Sequence, residues 1–316
     1  MRRSLAFFVV LAACKPPPPA PEGLDASTAY MFQNFYAAEP EYQAGLQGFM
    51  AWFNEEGYTL VGQEATTDNT DAFVVNDLTM DVIGYLPMAE ALAANPERSA
   101  TEPRDLSRAK GVVSLAEMDC TLYKTERLIA RPDQNVIFSN EFEGYSRTFH
   151  TDREVWHEAG VDHDFDDISA PLDPFTDGFD ETAWQRSLLR TDSLVDPDAV
   201  LTADVGEYPM HLDLRHGDYE LDGETVSAFA VLSWIEDAAW GSAGNNALMQ
   251  SYSLEVDIAR PDEKTLRMLA LWTEPRGSGI DPTSAFALNY AVNKSQKSSE
   301  RMSGICAGEI EVPAEP

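Results

Sequence analysis

The sequence predicts an α+β fold, with helices packed on one side of a curved antiparallel β-sheet or half-barrel. Three observations carry that expectation. Apolar residues recur at helical spacing near the N-terminus, apolar and polar residues alternate through the C-terminal third, and the alternating runs there are separated by short turn signals.

Taken in order, a first helix is expected around Thr28 to Tyr36, carrying Tyr30, Met31, Phe35 and Tyr36. A second opens on Pro40, because proline suits the first helical position, where its missing N–H would have had no partner. Leu46, Phe49, Met50 and Phe53 share one face of it, and it ends at Gly57. Val74, Leu78, Met80 and Val82 mark a strand near Phe73 to Ile83. Asn95 to Arg108, rich in Pro, Ser, Arg and Glu, reads as an exposed loop or a soft domain boundary. A strand begins at Gly111 with Val112 and Val113, Asp119 to Ile129 is helix-like, and Tyr145 to Phe149 is extended. Thr151-Asp152-Arg153-Glu154 has the form of a capping box that starts a short helix through His157. Asp180 to Arg190 is expected to be another helix, with Trp184, Leu188 and Leu189 facing inward.

The C-terminal third is read as a β-meander. Met210, Leu212 and Leu214 alternate with His211 and Asp213, and Asp222-Gly223 is a two-residue hairpin turn into Thr225 to Ile235. Leu248, Gln250, Tyr252, Leu254, Val256 and Ile258 lie on one face of a long strand, with Ser251, Ser253, Glu255 and Asp257 on the other. Leu266 to Trp272 follows the turn at Pro261-Asp262, and Phe286, Leu288, Tyr290 and Val292 alternate like one more strand. Short connections imply antiparallel neighbours, one face of the sheet buried and the other wet.

Composition narrows the function classes. Fifty-four acidic residues face 22 basic ones, a formal net charge of −32, so phosphate repulsion excludes nucleic acid as a partner. The same charge keeps the folded body off an anionic lipid surface. Apolar content of 44% is enough for a packed core.

The first residues read as an export signal. Met1-Arg2-Arg3 precedes the apolar run Leu5 to Leu11, far shorter than the ~20 residues that span a bilayer, followed by Ala12-Ala13-Cys14. Leu11-Ala12-Ala13-Cys14 resembles the lipobox of bacterial lipoprotein precursors. That resemblance implies cleavage before Cys14, acylation of its thiol and anchoring in a bilayer. Lys15 after the cysteine, where aspartate favours inner-membrane retention in enteric bacteria, points by the same analogy to the outer membrane of the envelope. Lys15 to Gly23, with five prolines, cannot build a helix or a ladder and should extend as a spacer of roughly 28 Å. The expected organisation is therefore a signal over 1–13, an acylated cysteine and tether over 14–24, and an α+β domain over 25–316.

With Cys14 committed to lipid, Cys120 and Cys306 remain. An even pair in an oxidising compartment is expected to form a disulfide, the other reading being two buried thiols.

Candidate chemistry is sparse. Eleven acidic residues fall within Asp152 to Glu181, and Asp162, Asp164 and Asp166 stand at the alternate spacing by which a calcium loop wraps oxygen ligands. Asp167 occupies the place of the turn glycine and Asp173 that of the closing glutamate, so an EF-hand is not expected. The choice lies between another kind of calcium loop and a solvated acidic loop. His150, His157 and His163 fall in the same region but lack the close spacing of a zinc helix, and His211 and His216 read as surface residues beside a turn. There is no Gly-x-Ser-x-Gly elbow and no phosphate-binding glycine loop. The chain is therefore expected to be a non-enzymatic, envelope-tethered binding or interaction module. The alternatives are a membrane-anchored hydrolase of an envelope polymer or external substrate, and a carrier of a lipid or small hydrophobic ligand.

Overall fold

A computed structural model describes residues 18–61, 73–79, 106–139, 141–163, 186–197, 205–277, 279, 281 and 284–316. The lipobox, Asp164, Asp166, Trp184 and most of the proposed boundary at 95–108 lie outside the described residues.

The fold is α+β. Nine strands form one antiparallel sheet: β1 (Phe73–Thr79), β2 (Lys110–Met118), β3 (Phe142–Phe149), β4 (Leu188–Pro197), β5 (Tyr208–Leu221), β6 (Glu224–Trp234), β7 (Ala239–Trp240), β8 (Ala247–Arg260) and β9 (Lys264–Arg276). Their spatial order is β1-β2-β9-β8-β6-β5-β4-β3, with the short β7 pairing β8. The chain thus crosses from β2 to the far edge at β3, then returns strand by strand until β9 pairs with β2. The expected meander is the β5-β6-β8-β9 part of that return. Its turns follow local chemistry: Asp222 and Gly223 both adopt positive φ (53° and 84°), the conformation a two-residue hairpin demands.

Helices α1 (Gly23–Asn34) and α2 (Glu39–Glu55) cover one face. Pro40 stands in the first turn of α2, and Tyr42, Leu46, Phe49, Met50 and Phe53 are buried against β6, β8 and β9. Phe32 meets Trp272 edge to face at 5.3 Å. Close approach is possible because Gly217 on β5 has no side chain: a Cβ there would lie 2.5 Å from the Tyr42 ring. Arg215, wholly buried beside it, donates to the carbonyls of Phe35 (2.6 Å) and Ala37 (2.8 Å) and to Glu39 (2.9 Å), tying the α1–α2 turn to the sheet.

The second face is covered too, which corrects the expectation of a wet face. Helices α3 (Leu122–Ile129), α4 (Gln134–Ile137), α5 (Arg153–Asp162) and α6 (Ala285–Cys306) lie over it. The first two belong to the long β2–β3 connection, which has to pass under the sheet to reach its far edge. Met118, Ile129, Ile137, Trp156, Leu189, Leu214, Phe229 and Met302 form the core there.

Three local expectations are corrected. The expected strand Phe286 to Val292 is the start of α6, whose N-cap Ser284 accepts from the Ala287 N–H. The 2-residue alternation is real, but the segment is helical, and its buried side mixes Val292 and Met302 with Ala287, Asn289, Ser298 and Ser299, small or polar residues that carry little hydrophobic signal. The expected helix at Asp180 to Arg190 gives way, within its described part, to β4, where Leu188 and Leu189 are buried on opposite faces. The N-cap of α5 is Asp152 rather than Thr151: Asp152 accepts from the N–H groups of Glu154 and Val155, while Thr151 Oγ1 donates to the Leu188 carbonyl.

The expected disulfide is present. Cys120 and Cys306 are bonded, their α-carbons 5.4 Å apart, joining the C-terminal end of α6 to the segment between β2 and α3. At the other terminus Pro21, inside the expected tether, already packs on Gly48 of α2, and α1 begins at Gly23.

A candidate ligand cavity beneath the C-terminal helix

Between α6 and the second face of the sheet is a cavity of about 310 Å³. Its origin is a local shortage of side-chain volume. Short side chains line it on both sides: Ser233, Ser251 and Ser253 from β6 and β8, and Ala287, Ala291 and Ser295 from α6. Met210, Leu212, Val231, Leu269 and Leu271 complete an apolar floor, while Phe138, Phe142, Tyr145 and Tyr208 wall it at the β3 side. The serines are satisfied among themselves, Ser233 with Ser253 at 2.6 Å and Ser114 with Ser295 at 2.7 Å. The first face is packed with Trp272, Tyr252 and four phenylalanines.

Five charged residues line the space: Glu141, Arg147, Glu255, Arg267 and Lys294. Arg267 on β9 grips Glu255 on β8 through Nε (2.6 Å) and Nη2 (3.0 Å), with Nη1 donating to Ser299 of α6 at 3.1 Å. Glu141 accepts from the hydroxyl of Ser298, one residue earlier on the same helix. Burial pushes the Glu141 carboxyl above its ordinary range, against the pull of Ser298 and Arg267. Arg147 donates only to neutral oxygens, the Ile129 carbonyl (2.7 Å), the Tyr145 hydroxyl (2.7 Å) and Ser193. The Lys294 ammonium sits 5.3 Å from the Tyr290 ring centre.

Asp257, next to Glu255 on the same face of β8, is wholly buried and neither oxygen accepts a hydrogen bond. Burial first, and then the adjacent Glu255, push its carboxyl well above the ordinary range, with Arg267 opposing. The fold therefore favours the protonated form of Asp257. A folded-state pKa raised above the unfolded value means the folded chain holds the proton longer, so stability falls as pH rises above about 4. Asp257→Asn removes that titration. It should raise stability near pH 7 by about 1–3 kcal/mol, with the gain shrinking towards pH 4, as read by urea unfolding at both values. A gain unchanged with pH would mean that Asp257 is already ionised in the fold.

The five histidines do not converge. His157 contacts Glu126 at 2.5 Å in the second core; burial pushes the carboxyl up to about 9 and the imidazole down to about 4, making this a neutral acid–imidazole pair. His216 is buried, not on the surface as expected: it stacks on Trp156 at 4.1 Å and contacts the Trp156 carbonyl at 3.0 Å, and burial lowers it to about 3. The expected turn beside His211 and His216 is absent: both lie within β5, and His216 is placed against Trp156 of α5. His163 reaches Asp218, and His150 and His211 flank Asp192 at 2.6 Å each. Asp162 ends α5, and no cluster of three His, Cys, Asp or Glu fit for a metal occurs among the described residues.

Of the cavity residues, sequence reasoning had singled out none as a site. The available signal was the long polar row Ser251, Ser253, Glu255, Asp257, which placed a buried carboxylate pair on what read as a solvent face. No family model and no curated protein matches the chain.

Proposed function

We propose that this chain is an envelope-tethered binding protein that holds one small amphipathic molecule between α6 and the sheet. The carrying observation is the cavity: about 310 Å³, mostly apolar, with a few placed polar groups, the composition of small-molecule sites rather than of a packing defect. An apolar molecule with one polar end would fill it, which favours the carrier alternative within the broader binding reading. A hydrolase has less support, because Glu255 is held by Arg267 and the His157–Glu126 pair lies in a closed core. The tether reading rests on Met1 to Cys14 and supplies the address.

The test is native mass spectrometry of the chain extracted from membranes of its own host. Expected are an acylated Cys14 and a bound small molecule that is released on unfolding. Ala291→Phe fills the space from the helix side and should lose that molecule while the oxidised chain stays folded. A ligand-free wild-type chain, or a ligand retained in the variant, removes the cavity as the site.

A further inference from the structure

Resting on that reading of the cavity, we infer that its ligand is an amphipathic organic anion, with an acidic head recognised by Lys294 and an aliphatic body lying under α6. The charge lining the cavity runs against the rest of the molecule. Acids outnumber bases 54 to 22 in the chain, yet the cavity wall holds three cations and two acids.

Pairing sharpens the excess. Glu255 and Arg267 neutralise one another through two hydrogen bonds. Glu141 is engaged by the Ser298 hydroxyl, with burial favouring its neutral form. What remains is Arg147, bonded to uncharged oxygens, and Lys294, which makes no ion pair among the described residues: it lies beside the Tyr290 ring, and Glu141, the acid that feels its charge, is held by Ser298. Lysine is rare here, six in the whole chain. One of the six lines this mostly apolar space, half-buried, with no carboxylate at ion-pair distance among the described residues. A desolvated ammonium gains most from an anion brought in with the ligand, since the charge-assisted bond forms away from water.

The apolar part has a matching surface. Val112, Leu269 and Leu271 of the sheet, with Leu288 and Ala291 of α6, form an apolar surface at the first half of that helix, the half that carries Lys294 at its end. That half rests on a small apolar cluster, whereas the second half is pinned by Ser298 to Glu141, Ser299 to Arg267, Arg301 to the Ile137 carbonyl, and the disulfide. A ligand therefore meets the least constrained part of the wall.

The experiment is calorimetric titration of the full-length chain with decanoate, 1-decanol and decylamine, three probes sharing one aliphatic chain. Decanoate should bind tightest. Lys294→Met keeps the stem and removes the charge, and should weaken decanoate about ten-fold while leaving decanol nearly unchanged. Lys294→Arg should restore most of the preference. Decylamine or decanol binding tighter than decanoate, or an unaltered decanoate affinity in Lys294→Met, overturns the anion assignment and leaves the cavity reading standing. Failure of all three probes to bind the wild type overturns the cavity reading itself.

Discussion

Cys306→Ser should lower the stability of the chain by up to about 5 kcal/mol, the largest effect expected of any single substitution here. The bond to Cys120 closes a loop with a sequence separation of 186, and the entropy removed from the unfolded chain by a cross-link grows with the logarithm of that length. It also holds the C-terminal end of α6 to the sheet, so the helix that roofs the cavity loses its covalent anchor. Denaturant midpoints of wild type with and without a reductant, and of Cys306→Ser, are the measurement. The reduced wild type and the variant should share one midpoint well below that of the oxidised protein. Coincidence of all three midpoints would mean that the cross-link contributes nothing.

Arg267→Met should cost about 3–5 kcal/mol near neutral pH, the penalty for removing one member of a buried ion pair. Methionine fills much of the space and leaves Glu255 without its two hydrogen bonds, beside Asp257 and near Glu141. Three buried carboxyls would then share a region that has lost the guanidinium bonded to Glu255. The loss should diminish at pH 5, where protonation of these acids is cheaper, and Glu255→Gln added to Arg267→Met should recover a substantial part of it. Urea unfolding of the single and double variants at pH 7.5 and pH 5 tests this; a loss independent of pH and of Glu255 would locate the cost in packing rather than charge. The same variant bears on binding, because the ion pair forms part of the cavity wall.

Much of the fold could be read from local pattern. The α2 stripe of Leu46, Phe49, Met50 and Phe53, the Asp222-Gly223 turn and the alternation along β8 each report a local pattern that survives in the structure. Reading failed where the buried surface was not apolar. The buried side of α6 mixes Val292 and Met302 with Ala287, Asn289, Ser298 and Ser299, so hydrophobic periodicity was weak there and a chance alternation took its place. The same cause hid the second covered face: Glu255 and Asp257 look solvated in sequence and are buried in fact. His216 was misplaced because a turn was expected beside it, where the structure has continuous strand.

The sequence by itself determined the α+β class, the pairing of the two cysteines and the run of antiparallel neighbours in the C-terminal third. All of these follow from residue-level rules: side-chain period, turn conformation and cysteine count. Only the tertiary structure decided that helices from the β2–β3 crossover and the C-terminus cover the second face, that the polar row of β8 is internal, and that short side chains on both sides leave a space beneath α6. These depend on which surfaces meet across large sequence separations, and no local period encodes that. The cavity is lined by short side chains from both layers, Ser233 and Ser253 of the sheet and Ala287 and Ala291 of α6, residues unremarkable until the fold gathers them around one space.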